Sequence, residues 1–229
     1  MQGYAFIFDM DGTIVDNMAY HSQSWVRFFA NRGRAIDEDA FFRATAGRQN
    51  HEIFREYIRA DLTDEEAAQF AHEKEAVYRE LYAPHLAPLP GFERLIADAR
   101  AAGGKLAVAT AAPRENVAFT LDGLDLRNRF DAVVGAFEVK RGKPHPDVFL
   151  AAAERVGVDP ARCIVFEDAP LGVEAARRAG MRAVVLTTTM PAGQFADFDN
   201  VIAIAPDFTA FTLPALLEAL GAHQPQTQS

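Results

Sequence analysis

The sequence predicts an α/β protein, a doubly wound, Rossmann-like parallel sheet with an inserted all-helical segment. Three observations predict it. Short runs of Val, Ile, Ala and Phe alternate with amphipathic stretches along most of the chain, as strands joined by crossover helices do. The alternation breaks once, between residues 17 and 82, where the apolar period is helical throughout. Carboxylates, a lysine and a threonine stand just after or between the strand-like runs, and open parallel sheets collect ligands at their carboxyl ends.

Tyr4, Ala5, Phe6, Ile7 and Phe8 form an apolar run short enough for a buried strand. Further strands are expected at 106–109, 132–134, 163–166, 183–186 and 201–204, with helices between them. Inside the helical insert, apolar positions recur around Trp25, Phe28 and Phe29, around Phe41 and Phe42, and around Ile53, Phe54, Tyr57 and Ile58. Trp25, Phe28 and Phe29 read as the core of that insert. Thr63, Asp64, Glu65 and Glu66 form a capping box for its last and longest helix. Three prolines across 84–90 mark the return to the sheet. The expected division is an α/β core at 1–15 and 84–222, a helical cap at 16–83, and a Gln-rich disordered tail at 223–229.

With 229 residues, 49% hydrophobic, the chain can bury a large core. A net charge of -9 disfavours nucleic acid and anionic membranes as partners and leaves a small metabolite as the expected one. The single cysteine, Cys163, lies in an apolar run and reads as a core residue of a reducing compartment. The chain opens directly on a strand with no basic and apolar leader, and no apolar run is long enough to span a bilayer, so cytoplasmic residence is expected.

Asp9 and Asp11 follow the first strand two residues apart, with Gly12 and Thr13 after them. Two carboxylates in one small site repel each other unless a cation lies between them, which points to a hard ion such as Mg²⁺ and to phosphate chemistry. Taken alone, the same residues could be a solvated turn. Three further elements converge on this pair: Thr110 and Ala111 at a strand end, Lys143 in a proline-flanked loop, and Glu167 with Asp168 at another strand end. Singly, Thr110 could cap a helix, Lys143 could be a solvated cation, and the two acids could be a capping pair.

With these residues in this order, the chain resembles the haloacid dehalogenase superfamily, in the branch with a helical cap after the first strand, and within it the β-phosphoglucomutase-like subgroup. The closer likeness rests on Asp16, the segment 20–25, the loop Gly47, Arg48, Gln49 and Asn50, Lys74, and the segment 166–175. The resemblance implies that Asp9 attacks phosphorus and that Asp11 acts as general acid and base. It also implies that Asp9, the Asp11 carbonyl and Asp168 hold Mg²⁺, with Glu167 beside it directly or through water, while Lys143 and Thr110 cradle the phosphate. Cap residues His21, Arg48, Asn50 and Lys74, with Ala111 and Arg114 from the core, would bind substrate. Lys74, flanked by Glu73 and Glu75, could instead lie on a solvated face.

Departures from the mutase pattern favour a phosphatase of a sugar phosphate or similar metabolite, because Ala112, Pro113 and Arg114 stand where the mutase holds a bridging sugar. The mutase itself is the alternative. A pyrophosphatase is disfavoured by Ala46 and Asp168, and a phospho-aspartate signalling module by Asp11 and the helical insert. A monomer or weak dimer is expected.

Overall fold

The computed structural model describes residues 3–45 and 50–221. Arg48 and the expected tail therefore lie outside the described residues. The chain divides into two compact units, one of Met1–Asp16 with Ala87–Ser229 and the other of Asn17–Leu86.

The first unit is built on six parallel strands, β1 (Ala5–Phe8), β2 (Lys105–Thr110), β3 (Ala132–Gly135), β4 (Cys163–Glu167), β5 (Arg182–Leu186) and β6 (Val201–Ala205), in the order β3-β2-β1-β4-β5-β6. All six expected strands are present, each within a residue or so of its expected ends. The chain moves outward from β1 through β2 to β3 and then returns to the other side of β1 with β4. Such a reversal opens a crevice at the carboxyl ends of β1 and β4, where ligands bind in sheets of this kind.

Alternation along the strands explains both faces of the sheet. Ala5 and Ile7 face one way with Ala107, Ala109, Cys163 and Val165, against Val148 and Phe149 of one helix (Asp147–Val156) and Val173 of another (Pro170–Arg178). On the opposite face Phe8 stacks on Phe166, centroids 4.6 Å apart, and meets Phe92 and Phe208 edge-on or tilted at 5.3 and 6.0 Å. Truncating Phe8 to Ala would cost about 3–5 kcal/mol, because a close-packed aromatic cluster cannot refill the space.

Among the described residues the second unit holds four α-helices, α1 (Met18–Ala30), α2 (Glu38–Thr45), α3 (Asn50–Tyr57) and α4 (Asp64–Tyr82). Trp25, Phe28, Phe29, Phe41, Ile53, Phe54 and Leu62 form its apolar core, including the three aromatics expected there. The capping box expected at Thr63 is formed: its hydroxyl accepts from the Glu66 N–H, and the Glu66 carboxylate accepts from the Thr63 N–H. No helix among the described residues is long and apolar enough to cross a membrane.

Candidate active site

Asp9 continues the ladder beyond β1, its N–H donating to the Phe166 carbonyl at 3.0 Å. Because Ile7 pairs with Val165, two residues further on Asp9 and Glu167 share one face of the sheet. Lys143 reaches between them. Its Nζ lies 2.5 Å from Asp9 Oδ1 and 2.6 Å from Glu167 Oε1, and its side chain is only 11% exposed. The alternative of a solvated lysine is thereby overturned.

Glu167 uses its other oxygen, Oε2, to accept from the N–H groups of Asp168 at 2.9 Å and Ala169 at 3.0 Å. The carboxylate lies so close to Gly172 that a Cβ there would approach Oε1 to 1.8 Å. Glu167 therefore anchors the start of the following helix and orients Lys143. Oxygen atoms of Asp9, Glu167 and Asp168 all lie within 4.8 Å of one another, and all three residues are buried. The Asp11 side chain is not part of that trio and is half-buried in the turn that follows.

Electrostatics show what this trio lacks. Burial lifts Asp9 well above the usual carboxylate range; Lys143 opposes the shift, and the charges on Glu167 and Asp168 reinforce it. Asp168 is pushed up to about 7, first by burial and then by Glu167. Lys143 is held above its ordinary value because Asp9 and Glu167 outweigh the cost of burying its charge. One ammonium thus faces three buried carboxylates. The donor set is all oxygen, compact and under-neutralised, and it fits a hard divalent cation.

Thr110 ends β2 fully buried, and its Oγ1 accepts from the Ala112 N–H at 3.1 Å. It caps no helix, because the next one (Arg114–Gly123) starts at Arg114 after Pro113. Ala111 is exposed at the same strand end. Arg114 is exposed too, its guanidinium 3.9 Å from the centre of the Phe137 ring.

The helical unit holds a polar cluster of its own. Lys74 is 2% exposed, which overturns the solvated-face alternative, while Glu73 is the one that pairs with Arg32 in the open. Lys74 Nζ lies 2.9 Å from Glu75 Oε1, 3.1 Å from His21 Nδ1 and 5.3 Å from the centre of the Trp25 ring. Asn50 Nδ2 donates to the same Glu75 oxygen at 3.3 Å. The His21 ring stacks on Tyr78 at 3.8 Å, and the Tyr78 hydroxyl accepts from Asn17 Nδ2 at 2.6 Å. His21, Asn50 and Lys74, which the sequence analysis groups by resemblance, are thus brought together by Glu75, which it leaves out.

It also leaves out Thr188 and Thr189. Both follow β5, and their hydroxyls donate to the Gly12 carbonyl and to Asp168 Oδ2. The available signal is a third hydroxyl-bearing strand end, at Thr187, Thr188 and Thr189.

Against this geometry, the family model for haloacid dehalogenase-like hydrolases matches residues 5–180. The chain belongs to that family. It is 38% identical over 180 residues to the fructose-1-phosphate phosphatase YqaB of Escherichia coli, covering 78% of this chain and 93% of that one. A phosphorylated carbohydrates phosphatase of Thermotoga maritima is 33% identical over 183 residues, covering 79% of this chain and 83% of the other. The crystal structure of β-phosphoglucomutase from Clostridium difficile superposes with a TM-score of 0.81 at 27% identity, covering 96% of this chain and 98% of that one.

Proposed function

We propose that this phosphoric monoester hydrolase removes phosphate from a small phosphorylated sugar, with Mg²⁺, through a phosphorylated Asp9. The buried Lys143 bridging Asp9 and Glu167 beside Asp168 carries the reading, since a carboxylate able to act as nucleophile, a fixed ammonium and a compact oxygen donor set meet at the carboxyl ends of β1 and β4. The likeness to two sugar-phosphate phosphatases supports the substrate class.

In the first step an Asp9 oxygen attacks phosphorus and the bond to the sugar oxygen breaks, while Asp11 supplies the proton that the departing alkoxide needs. In the second, Asp11 takes a proton from water, the water oxygen attacks phosphorus, and the bond to Asp9 breaks to release phosphate. Lys143 offsets charge on the transferring group, and Thr110 holds the strand end that faces it. Asp9, Asp168 and the Asp11 carbonyl would hold Mg²⁺, with Glu167 beside it directly or through water. When bound, the ion supplies charge neutralisation to the phosphoryl oxygens and relieves the repulsion among the carboxylates. By resemblance, His21, Arg48, Asn50 and Lys74 of the helical unit would read the part of the substrate that does not react.

A phosphate-release screen across sugar phosphates, with and without Mg²⁺, tests the proposal; no turnover on any of them would sink it. The structural likeness to β-phosphoglucomutase favours a second reading as an isomerase. A coupled assay with β-glucose 1-phosphate and a bisphosphate primer separates the two: steady phosphate release without isomerisation supports hydrolysis. Ala112, buried, and Arg114, stacked on Phe137, offer no hydroxyl shelf for a retained sugar, which favours water as acceptor.

A further inference from the structure

Asp168 has no side-chain donor next to it in sequence, because Ala169 follows it. Its carboxylate is nevertheless fixed. The Thr189 hydroxyl, from the far end of β5, donates to Oδ2, while Thr13 Oγ1 approaches Oδ1 only to 3.5 Å. One residue earlier the Thr188 hydroxyl donates to the Gly12 carbonyl, so a single loop grips the exits of both β4 and β1. Packing here leaves no slack. Gly12 has φ +74°, and a Cβ on it would come within 2.1 Å of Asp168 Oδ2 and 2.8 Å of Thr189 Oγ1.

We propose that Thr189 is a positioning residue for the cation site, its hydroxyl setting the rotation of the Asp168 carboxylate so that one oxygen is held and the other is presented to the metal. A carboxylate ligand turns freely about its last bond unless one oxygen is tied down, and outer partners of this kind govern metal affinity. A loop that also holds Gly12 couples that rotation to the turn carrying Asp11. This inference rests on the reading that Asp168 helps to hold Mg²⁺.

The test is Mg²⁺ affinity, measured by titration calorimetry on the full chain without substrate. Thr189→Val keeps the shape and removes the donor, and should weaken Mg²⁺ binding by roughly 10-fold or more, whereas Thr189→Ser keeps the hydroxyl and should stay within about 3-fold of wild type. If Thr189→Val does not fold, Thr189→Ala serves in the same measurement with the same expected loss. Unchanged affinity in the donor-less variant, or an equal loss in Thr189→Ser, would overturn the proposal. A wild-type protein that binds no Mg²⁺ would instead remove the reading under Proposed function, and this inference with it.

Discussion

Lys143 in the α/β unit and Lys74 in the helical unit are both buried, and each bridges two polar partners. Their surroundings differ in kind. Lys143 meets Asp9 and Glu167, with Asp168 close by, so one cation stands against three carboxylates drawn from the ends of two strands. Lys74 meets a single carboxylate, Glu75, together with an imidazole nitrogen and the face of Trp25. An excess of buried negative charge is costly unless another cation arrives, so the first cluster is fitted to take up a divalent cation. A lysine paired with one acid and an aromatic ring has its charge largely answered in place. The second cluster has no such excess for a metal to offset.

The largest effect expected from this difference is at Asp9. Asp9→Asn keeps size and one acceptor oxygen but removes the charge and the nucleophilic oxygen, so turnover on every phosphate ester should fall by at least ~10³-fold with the circular dichroism spectrum unchanged. Residual activity within tenfold of wild type would end the covalent scheme. Lys143→Met comes next, with kcat/KM falling by about 10²- to 10³-fold on sugar phosphates and on p-nitrophenyl phosphate alike, because the ammonium acts on the group common to both. A loss confined to sugar substrates would make Lys143 a recognition residue and dissolve the contrast with Lys74.

The parts of the molecule built from short-range signals were open to sequence reasoning. Strand runs such as Ala5–Phe8 and Cys163–Glu167 declare themselves by composition, and the Thr63 capping box by spacing. Asp9, Lys143, Glu167 and Asp168 were legible because each follows, ends or lies between such runs. Thr189 was not, since a threonine after a strand has many uses and only the strand order, with β5 beside β4, brings it to Asp168. Glu75 was hidden for a different reason: between Lys74 and Ala76 on a helix it reads as one more surface acid, and its burial depends on how α1, α3 and α4 pack.

Lys74→Gln should separate the two clusters by substrate rather than by rate. The ammonium is lost while a polar group still faces Glu75, so kcat/KM on the best sugar phosphate should fall about tenfold, equivalent to about 1.4 kcal/mol. On p-nitrophenyl phosphate, which offers little beyond the reacting group, the loss should stay below about threefold. Equal losses on both substrates would assign Lys74 to the packing of the helical unit.

The smallest expected effect is on stability and tests the charge excess itself. Asp168 is raised from 3.8 to about 7, so between those values the folded protein keeps a proton that the unfolded chain has released. Its contribution to stability is therefore greatest at low pH, falls as pH rises through that window, and is lost above pH about 7; Asp9 is displaced in the same direction. Mg²⁺ binds the ionised carboxylates, so it should restore the loss where they are ionised and compete poorly with protons where they are not. Saturating Mg²⁺ should raise Tm by roughly 5 °C at pH 8 and by less than about 2 °C at pH 5.5. The same titration on Lys74→Gln should give the wild-type pattern, because the helical cluster has no share in the cation site. Mg²⁺ shifts of equal size at the two pH values would mean that the three carboxylates do not carry the excess charge assigned to them.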